Sequence, residues 1–415
     1  MSRIAVIGSG IAGMSAAWLL SRKHEVWLYE RESRLGGHTH THIIQTSLGP
    51  RSIDTGFIVH NDRTYPNLLR LLNDLGVERQ KRDMSFAVSD TQSGMEYSSR
   101  GLGGFFATHS NLMRPAHYRL FLSIVRFNRE STQHLKEGIP LEMTLGEYLE
   151  RYQFGTDLAR FYLYPMASAV WSTSLEDIEK FPASTLLQFF MNHGFLTVNN
   201  HPQWYAIKGG SSSYIQPLTQ PYRDRVATNA RIKKVCGVDQ GATIHFEAGE
   251  EQQFDEVVFA CGGPQAMQLI GDPTAVEKHV LSSFKTTRNT AVLHTDERLL
   301  PRAKAARASW NYRLDERSGT ATVTYHMNRL QSLDTPEHYC VTLNDSGMID
   351  PDRVLRTLEY DHPLYTVEAV RAQARWAEVS GVRHLHFCGA YWLYGFHEDG
   401  FNSAIRVAKA LGVNW

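Results

Sequence analysis

A glycine-rich turn near the start of the chain constrains the fold more than any other sequence feature. Ile4 to Ile7 is a short all-apolar run, and Gly8-Ser-Gly10-Ile-Ala-Gly13 follows it directly. Ile11 to Leu20 then has a helical pattern rich in Ala, Leu and Met, and Glu25 to Glu30 has the pattern of a second strand. Strand, glycine turn, helix and strand within about thirty residues predict a Rossmann-type unit around a buried parallel strand.

Each glycine of this turn has a physical purpose. Gly8 permits a tight turn, Gly10 lets the backbone approach a pyrophosphate, and Gly13 lets the helix lie close to the strand. The helix N-terminus then offers unpaired N–H groups and a positive dipole end to the phosphates. Glu30 ends the second strand, where its carboxylate is predicted to accept both hydroxyls of an adenosine ribose and to repel a 2′-phosphate.

The composition excludes several classes of protein. The chain has 415 residues, which suggests about two or three domains. Lys+Arg and Asp+Glu balance at 43 each, so no net charge recruits nucleic acid. The four cysteines are far apart, which argues against a zinc site or a disulfide framework and predicts a cytoplasmic location. We find no apolar run long enough to span a bilayer and no signal peptide.

A second glycine motif distinguishes FAD from NAD. Arg34-Leu-Gly36-Gly37 follows the second strand, and Asp54-Thr-Gly56 comes next. These motifs resemble the RxGG extension of the flavin amine oxidase superfamily, which includes monoamine oxidases, phytoene desaturases and protoporphyrinogen oxidases. The resemblance implies that the paired glycines lie against the pyrophosphate and ribityl chain of FAD. This chain departs from the family at His38, where an arginine is frequent.

Two later segments resemble the remaining pieces of the FAD domain in that superfamily. One runs from Ile207 to Pro264 and the other from Leu385 to Ala404. The resemblance implies an α/β fold class with a discontinuous Rossmann-type FAD-binding domain and an α+β substrate-binding domain that has a mixed sheet and a helical segment. The FAD-binding domain is expected over residues 1–82, 204–265 and 376–415, and the substrate-binding domain over 83–203 and 266–375.

The resemblance also implies which residues contact FAD. A helix is expected to begin near Asp399 or Gly400, with its N-terminus toward the flavin pyrimidine edge. FAD is expected to be non-covalent, because no cysteine occupies the C-terminal position that monoamine oxidases use for covalent attachment. The predicted FAD contacts are Gly8, Gly10, Ile11, Ala12, Gly13, Glu30, Arg34, Gly36, Gly37, His38, Ile232, Gly389, Phe396, Asp399, Gly400 and Phe401.

Three histidines alternate along the chain after the paired glycines. His38, His40 and His42 would share one face of a strand. Alternating histidines can bind a metal, but no carboxylate or cysteine partner is evident. We therefore predict no metal site and interpret the three residues as polar strand residues beside the cofactor.

The acid–base candidates lie just before the C-terminal helix. Flavin chemistry requires a group that manages one proton close to the reacting atom. His397 and Glu398 are predicted to do this, because the resemblance places this stretch next to the isoalloxazine ring. N-capping of a helix is the competing interpretation of Glu398 and Asp399. Tyr394 is predicted either to line the flavin site or to pack in the core.

Three tryptophans and a proline are the candidates for a cavity wall. Pro165, Trp171, Trp204 and Trp310 lie in stretches that resemble the cavity-lining segments of the superfamily. Core packing is the alternative for each of them. Helices are predicted for His117 to Leu135, Leu145 to Tyr152, Leu158 to Trp171 and Leu186 to Phe195, and strands for parts of 266–375.

Longer stretches resemble one branch of the superfamily. Residues 53–89, 162–172, 291–301 and 388–400 are similar to bacterial amine-oxidase-like FAD proteins and to the N-terminal half of plant cyclopropane fatty acid synthases. This implies an oxidoreductase acting on a fatty-acyl substrate by desaturation, saturation or isomerisation. It also implies a functional link to a cyclopropane fatty acid synthase-like methyltransferase and peripheral contact with the inner membrane face. A small-amine oxidase and a non-catalytic, flavin-bound partner of a lipid methyltransferase remain open alternatives.

Overall fold

The computed structural model describes residues 1–197, 201–238, 240–315, 320–345 and 347–415. The strands are β1 Arg3–Ile7, β2 Glu25–Tyr29, β3 Thr41–Thr46, β4 Gly49–Asp54, β5 Val59–Asn61, β6 Arg79–Arg82, β7 Phe86–Asp90, β8 Met95–Ser98, β9 Trp204–Ile207, β10 Val226–Ala227, β11 Ile232–Val238, β12 Gly241–Phe246, β13 Glu251–Phe254, β14 Glu256–Phe259, β15 Lys285–His294, β16 Trp310–Asp315, β17 Thr320–His326, β18 Cys340–Leu343, β19 Val354–Leu364 and β20 Leu385–Phe387.

The α-helices are α1 Ile11–Leu20, α2 Pro66–Asp74, α3 Gly101–Phe105, α4 His109–Met113, α5 Pro115–Glu137, α6 Leu145–Arg151, α7 Thr156–Leu158, α8 Tyr164–Trp171, α9 Leu175–Glu179, α10 Ala183–Asn192, α11 Ile215–Thr219, α12 Gly263–Leu269, α13 Ala275–Ser282, α14 Met327–Gln331, α15 Val367–Gln373 and α16 His397–Ala410. A π-helical turn over Ala159–Leu163 connects α7 to α8.

A five-stranded parallel sheet carries the glycine turn. Its strand order is β10-β2-β1-β14-β20, and the strands come from all three of the segments predicted to form the FAD-binding domain. Both faces of the sheet are covered, because alternate residues of β1 and β14 enter two different hydrophobic clusters. Helices α1, α11 and α16 pack on one face, and α12 and α13 pack on the other. The predicted Rossmann-type architecture is therefore confirmed.

A seven-stranded mixed sheet forms the second layer of strands. Its order is β19-β15-β18-β17-β16-β7-β8, and β16 pairs with β7 in parallel whereas the other neighbours are antiparallel. Strands β7 and β8 come from the predicted substrate-binding segment 83–203, ahead of its predicted helices. The division into two domains at the predicted residues stays a prediction.

Helices α5 to α10 form the layer that packs on this mixed sheet. The predicted helices over 117–135, 145–152, 158–171 and 186–195 are present, and their ends differ from the predictions by a few residues. Their apolar side chains form a cluster that includes Phe127, Tyr148, Trp171 and Phe190. The layer therefore covers the mixed sheet with a core of its own. Among the helices described, none has the length and apolar character needed to cross a membrane.

Candidate active site

A cavity of about 790 Å³ runs between the parallel sheet and the mixed sheet. The chain leaves β1, β14 and β20 at the same edge of the parallel sheet, and Gly8, Ala260 and Gly389 at these strand ends line the cavity. Ligands of open parallel sheets bind outside the carboxyl ends of the strands, which is where this cavity begins. Its volume is in the range of cofactor and ligand sites.

The glycine turn forms an open cradle at this edge. Gly8 has a φ of +104°, a conformation that favours glycine. A Cβ on Gly10 would have no protein atom within 4 Å, although Gly10 lines the cavity. A Cβ on Gly37 would lie 3.1 Å from Gly10 Cα, so the two glycine motifs touch each other. The geometry fits a pyrophosphate held by backbone N–H groups.

Glu30 lies beside this cradle at the end of β2. Its Oε2 accepts hydrogen bonds from the Ser9 backbone N–H at 2.8 Å and the Ser9 hydroxyl at 2.6 Å. Its Oε1 accepts from the Glu32 N–H at 2.8 Å. These bonds hold the carboxylate at the cavity wall, where Ile232 also contributes. The predicted ribose contact fits this position and remains a prediction.

Arg34 and His38 have different functions in the second glycine motif. The Arg34 guanidinium donates to the carbonyl oxygens of Gly37 at 2.8 Å and Thr39 at 3.3 Å, so it braces the loop. The His38 ring stacks on Tyr360 with 5.3 Å between ring centroids, and burial lowers its pKa. Its buried Nε2 has no hydrogen-bond partner among the described residues. A polar ligand in the cavity would satisfy this atom.

Helix α16 starts at His397, two or three residues before the predicted start near Asp399 or Gly400. Phe396 and His397 line the cavity at its N-terminus. Asp399 instead caps its own helix by accepting the Phe396 N–H at 2.9 Å. Gly400 packs against α1, since a Cβ there would lie 2.7 Å from Ile11 Cγ2.

Four predicted FAD contacts do not line the cavity, and each of them instead caps a helix or packs in the core. Two of them are Asp399 and Gly400 of α16. Phe401 is fully buried in the core beneath α16. A Cβ on Gly13 would lie 1.8 Å from Gly8 O, so this glycine permits close packing of α1 on the turn. The other predicted contacts line the cavity, namely Gly8, Gly10, Ile11, Ala12, Glu30, Arg34, Gly36, Gly37, His38, Ile232, Gly389 and Phe396.

His397 is held in a buried polar cluster. Its Nε2 lies 3.0 Å from Thr39 Oγ1 and 3.3 Å from the Tyr214 hydroxyl, and its ring stacks on Phe57 at 3.5 Å. Burial lowers the pKa of the ring well below its usual value, and the nearby rings of His38 and His60 act in the same direction. His397 is therefore neutral at physiological pH. It reaches the cavity, and its acid–base function stays a prediction.

Glu398 and Tyr394 do not line the large cavity. The Glu398 carboxylate accepts the backbone N–H groups of Asn67 at 3.0 Å and Leu68 at 2.8 Å, at the N-terminus of α2. Tyr394 packs on Phe189, with 5.8 Å between ring centroids. Both residues line a second cavity of about 580 Å³. For Glu398, helix capping rather than proton transfer accounts for this geometry, although the helix that it caps is α2 rather than its own.

The tryptophans predicted to line the substrate site divide into two groups. Trp204 and Trp310 line the cavity, and the Trp310 Nε1 is buried without a hydrogen-bond partner among the described residues. Trp171 and Pro165 are instead buried in the helical layer, and the Trp171 Nε1 donates to the Tyr394 carbonyl at 3.2 Å. These two residues therefore pack in the core and do not line the cavity.

Several cavity residues were not predicted from the sequence. We define the far end of the cavity as the lining residues from the 57–65 segment, α8, α10, the residues directly after these two helices, β9, and strands β16, β17 and β18 of the mixed sheet. Its members are Phe57, Ile58, Val59, Tyr65, Ala169, Val170, Ser172, Phe189, His193, Phe195, Trp204, Trp310, Tyr325 and Leu343. The apolar run directly before His60 is the one sequence feature that could have indicated part of this set.

Two of the three alternating histidines form hydrogen bonds with hydroxyl groups. His40 lies 3.1 Å from the Tyr360 hydroxyl, and His42 lies 3.1 Å from Thr55 Oγ1. The rings of His40 and His42 are 4.0 Å apart. Among the described residues, no group of three or more His, Cys, Asp or Glu side chains is arranged to hold a metal ion.

The comparison with protein families decides the class. The family described as flavin containing amine oxidoreductase matches residues 11–412. The chain belongs to this family. It is therefore a flavin-dependent oxidoreductase that uses FAD, and its residues fit this cofactor through the open cradle at Gly10, the unsatisfied His38 Nε2 and the size of the cavity.

Individual relatives of this flavin oxidoreductase are distant. A Mycobacterium tuberculosis protein named as a flavin-containing monoamine oxidase, AofH, is 23% identical over 264 residues, which are 60% of this chain. The match spans about half the length of that relative, 54%. A fatty acid isomerase from P. acnes has a TM-score of 0.71 at 15% identity, and cyclohexylamine oxidase from Brevibacterium oxydans has 0.69 at 13%, each over 99% of both chains. These two likenesses show the fold alone.

Proposed function

We propose that this flavoenzyme acts on a fatty-acyl chain, by desaturation, saturation or isomerisation. One observation carries the proposal: the far end of the cavity, which we now call its acyl end, is uncharged and mainly apolar. Its walls are aliphatic and aromatic side chains, including Val59, Phe195 and Trp204. An acyl chain gains free energy from leaving water for such a site, at about 25 cal/mol per Å² of apolar surface.

A cationic amine would lack a counter-ion at the acyl end. The carboxylates that line the cavity lie outside this set, and they include Glu30 beside the nucleotide cradle and Glu359 in an ion pair with Arg288. Transferring an ammonium group from water to a site that has no counter-ion costs several kcal/mol of free energy, on the order given by ion desolvation.

The ionisable groups at the acyl end are few and neutral. His193 has its pKa lowered to about 4 by burial, and its Nδ1 lies 2.9 Å from the Phe189 carbonyl. Its Nε2 lies 3.0 Å from Thr64 Oγ1. Bound FAD supplies the two-electron chemistry. The chain would exclude water, align the acyl group and hold a proton at His193, Tyr65 or His397.

The test is an anaerobic assay with defined phospholipids. The lipids carry monounsaturated, methyl-branched or cyclopropane acyl chains, and each is added to the oxidised enzyme and to the dithionite-reduced enzyme. We expect at least one lipid either to change the visible flavin band or to give an acyl product. Mass spectrometry would identify the product as an acyl chain that has lost two hydrogens, gained two hydrogens or changed the position of a double bond. Bleaching by amines alone would support an amine oxidase. No acyl product in either redox state would overturn the proposal.

A cavity-filling variant separates substrate binding from cofactor binding. Val170 is half-buried on α8 and lines the acyl end, so Val170→Trp should fill it. We expect FAD binding to remain and lipid turnover to fall at least about tenfold, which corresponds to about 1.4 kcal/mol. Val276→Trp is the control, because Val276 is exposed on α13. Equal loss of turnover in both variants would contradict this placement of the acyl chain.

A further inference from the structure

An exposed apolar surface covers three consecutive helices, α3 to α5. Leu102, Met113 and Leu122 are 70%, 83% and 65% exposed. Leu112, Tyr118, Phe121 and Val125 are also exposed, so seven of the fourteen large hydrophobic residues exposed among the described residues lie between positions 102 and 125. We call this surface the α3–α5 face. Contiguous exposed apolar surface of this kind marks an interaction site.

Contacts between the helices hold these side chains in one surface. The Tyr118 hydroxyl of α5 donates to the Leu112 carbonyl of α4 at 3.0 Å. The ring of Phe121 lies 5.4 Å from that of Phe105 on α3. The opposite side of α5 is buried, with Leu120 in the cluster that also contains cavity residues such as Val59 and Tyr325. The face is therefore the outer surface of a layer that covers the acyl end.

The charge of the α3–α5 face is positive. Residues 100–129 contain five arginines and no aspartate or glutamate. Arg126 and Arg129 pair with Glu130, and Arg100 lies 4.0 Å from Asp83. Arg114 and Arg119 form no salt bridge with the described residues, and Arg119 is exposed. The apolar side chains are thus accompanied by cations that have no carboxylate partner.

We propose that the α3–α5 face docks on an anionic lipid bilayer. Leucine and methionine side chains would enter the interface while the arginines contact lipid phosphates, as amphipathic helices with a basic border do. A surface that binds by apolar contact alone would not need this excess of arginine. The docking is independent of the reaction catalysed, and it would bring the acyl end next to a source of acyl chains.

The test is co-sedimentation of the FAD-loaded protein with vesicles. One set is phosphatidylcholine and the other is phosphatidylcholine and phosphatidylglycerol in equal parts. We expect binding to the anionic vesicles, little binding to the neutral ones, and weaker binding at high salt, because salt screens the charges. Protein that stays in the supernatant with anionic vesicles at low salt would overturn the proposal.

Two pairs of substitutions separate the apolar and the electrostatic parts. Met113→Gln with Leu122→Gln should lower the partition coefficient at least about tenfold. Arg114→Gln with Arg119→Gln should lower it about thirtyfold, at the contribution usual for two arginines at an anionic surface. FAD content should stay at the wild-type value in both variants, since these side chains do not line the large cavity. Thermal unfolding should stay at the wild-type value in the Met113/Leu122 variant, because both side chains are exposed.

The controls are exposed residues of the same types elsewhere. Ile43→Gln with Leu48→Gln changes a hairpin where these side chains are 62% and 55% exposed. Arg302→Gln with Arg356→Gln changes two exposed arginines of the substrate segments. Both control pairs should bind vesicles like the wild type. If a control pair loses as much binding as the corresponding α3–α5 pair, the α3–α5 face is not the docking surface. If light scattering shows lipid-free dimers that the Met113/Leu122 pair abolishes, the face binds a second copy instead.

Discussion

Gly10 and Gly13 belong to one turn but have opposite surroundings. A Cβ on Gly13 would lie 1.8 Å from Gly8 O, whereas a Cβ on Gly10 would meet no protein atom within 4 Å. Gly13 therefore serves the packing of α1, and Gly10 leaves space at the cavity. This difference separates a glycine required by the fold from one required by the ligand.

We expect Gly10→Ala to impair FAD binding without unfolding the protein. The methyl group would occupy the space where a pyrophosphate approaches the backbone. The FAD dissociation constant should rise at least about tenfold, or about 1.4 kcal/mol, while the free energy of unfolding of the apoprotein should change by less than about 0.5 kcal/mol. Fluorescence titration with FAD and thermal unfolding of the apoprotein measure these quantities.

Gly155→Ala is the matched control for this substitution. Gly155 is the N-cap of α7 with a φ of −63°, and Gly10 is the N-cap of α1 with the same φ. Neither Cβ would meet a protein atom within 4 Å, but Gly155 does not line the cavity. Gly155→Ala should therefore bind FAD like the wild type. Unchanged FAD affinity in Gly10→Ala would place the pyrophosphate elsewhere.

At the scale of elements, the C-terminal helix organises a neighbouring helix as well as the cavity. The Glu398 carboxylate of α16 accepts two N–H groups at the start of α2, which has no side-chain cap of its own. The first N–H groups of a helix have no partner within the helix, and a carboxylate at this position also interacts favourably with the helix dipole. Glu398 thus connects two elements that are distant in sequence.

We expect Glu398→Gln to lower stability rather than turnover. The amide has one acceptor oxygen in place of two, so one α2 N–H loses its partner, at a cost of about 1–2 kcal/mol in the free energy of unfolding. Chemical denaturation measures the loss, and the lipid assay measures turnover. Glu150→Gln, on the exposed side of α6, should change neither quantity. A large loss of turnover with wild-type stability would restore the acid–base interpretation of Glu398.

At the scale of the whole molecule, FAD should connect segments from all parts of the chain. The cavity is lined by residues of the glycine turn, of the segment after β14 and of the stretch before α16. A ligand that binds only the folded chain stabilises it by about 2.7 kcal/mol at a concentration one hundred times its dissociation constant. We therefore expect the melting temperature to rise with added FAD in differential scanning fluorimetry.

The same preparation tests how the flavin is held. We expect acid denaturation followed by ultrafiltration to release all of the flavin into the filtrate, because non-covalent contacts do not survive unfolding. Cys261 is the one cysteine among the residues that line the cavity, and burial raises its pKa to about 12, so its thiol is protonated and a poor nucleophile. Flavin that stays with the polypeptide would show a covalent bond.

Local sequence determined the Rossmann-type unit. The apolar run of β1, the glycine turn and the helical pattern of α1 are adjacent in the chain, and their backbone requirements depend on immediate neighbours. The role of the paired glycines at Gly36 and Gly37 followed instead from the resemblance to the flavin amine oxidase superfamily. Most of the nucleotide end of the cavity could therefore be found from the sequence.

Tertiary structure decided which side chains face the cavity and which serve packing. Trp171 and Trp204 were both candidates for the cavity wall, yet only Trp204 lines the cavity. Glu398 precedes the predicted helix start like a cap, but its partner is α2, more than three hundred residues earlier. Sequence periodicity shows which face of an element is apolar. Only the packing of distant elements determines whether that face meets a core, a cofactor or a neighbouring helix.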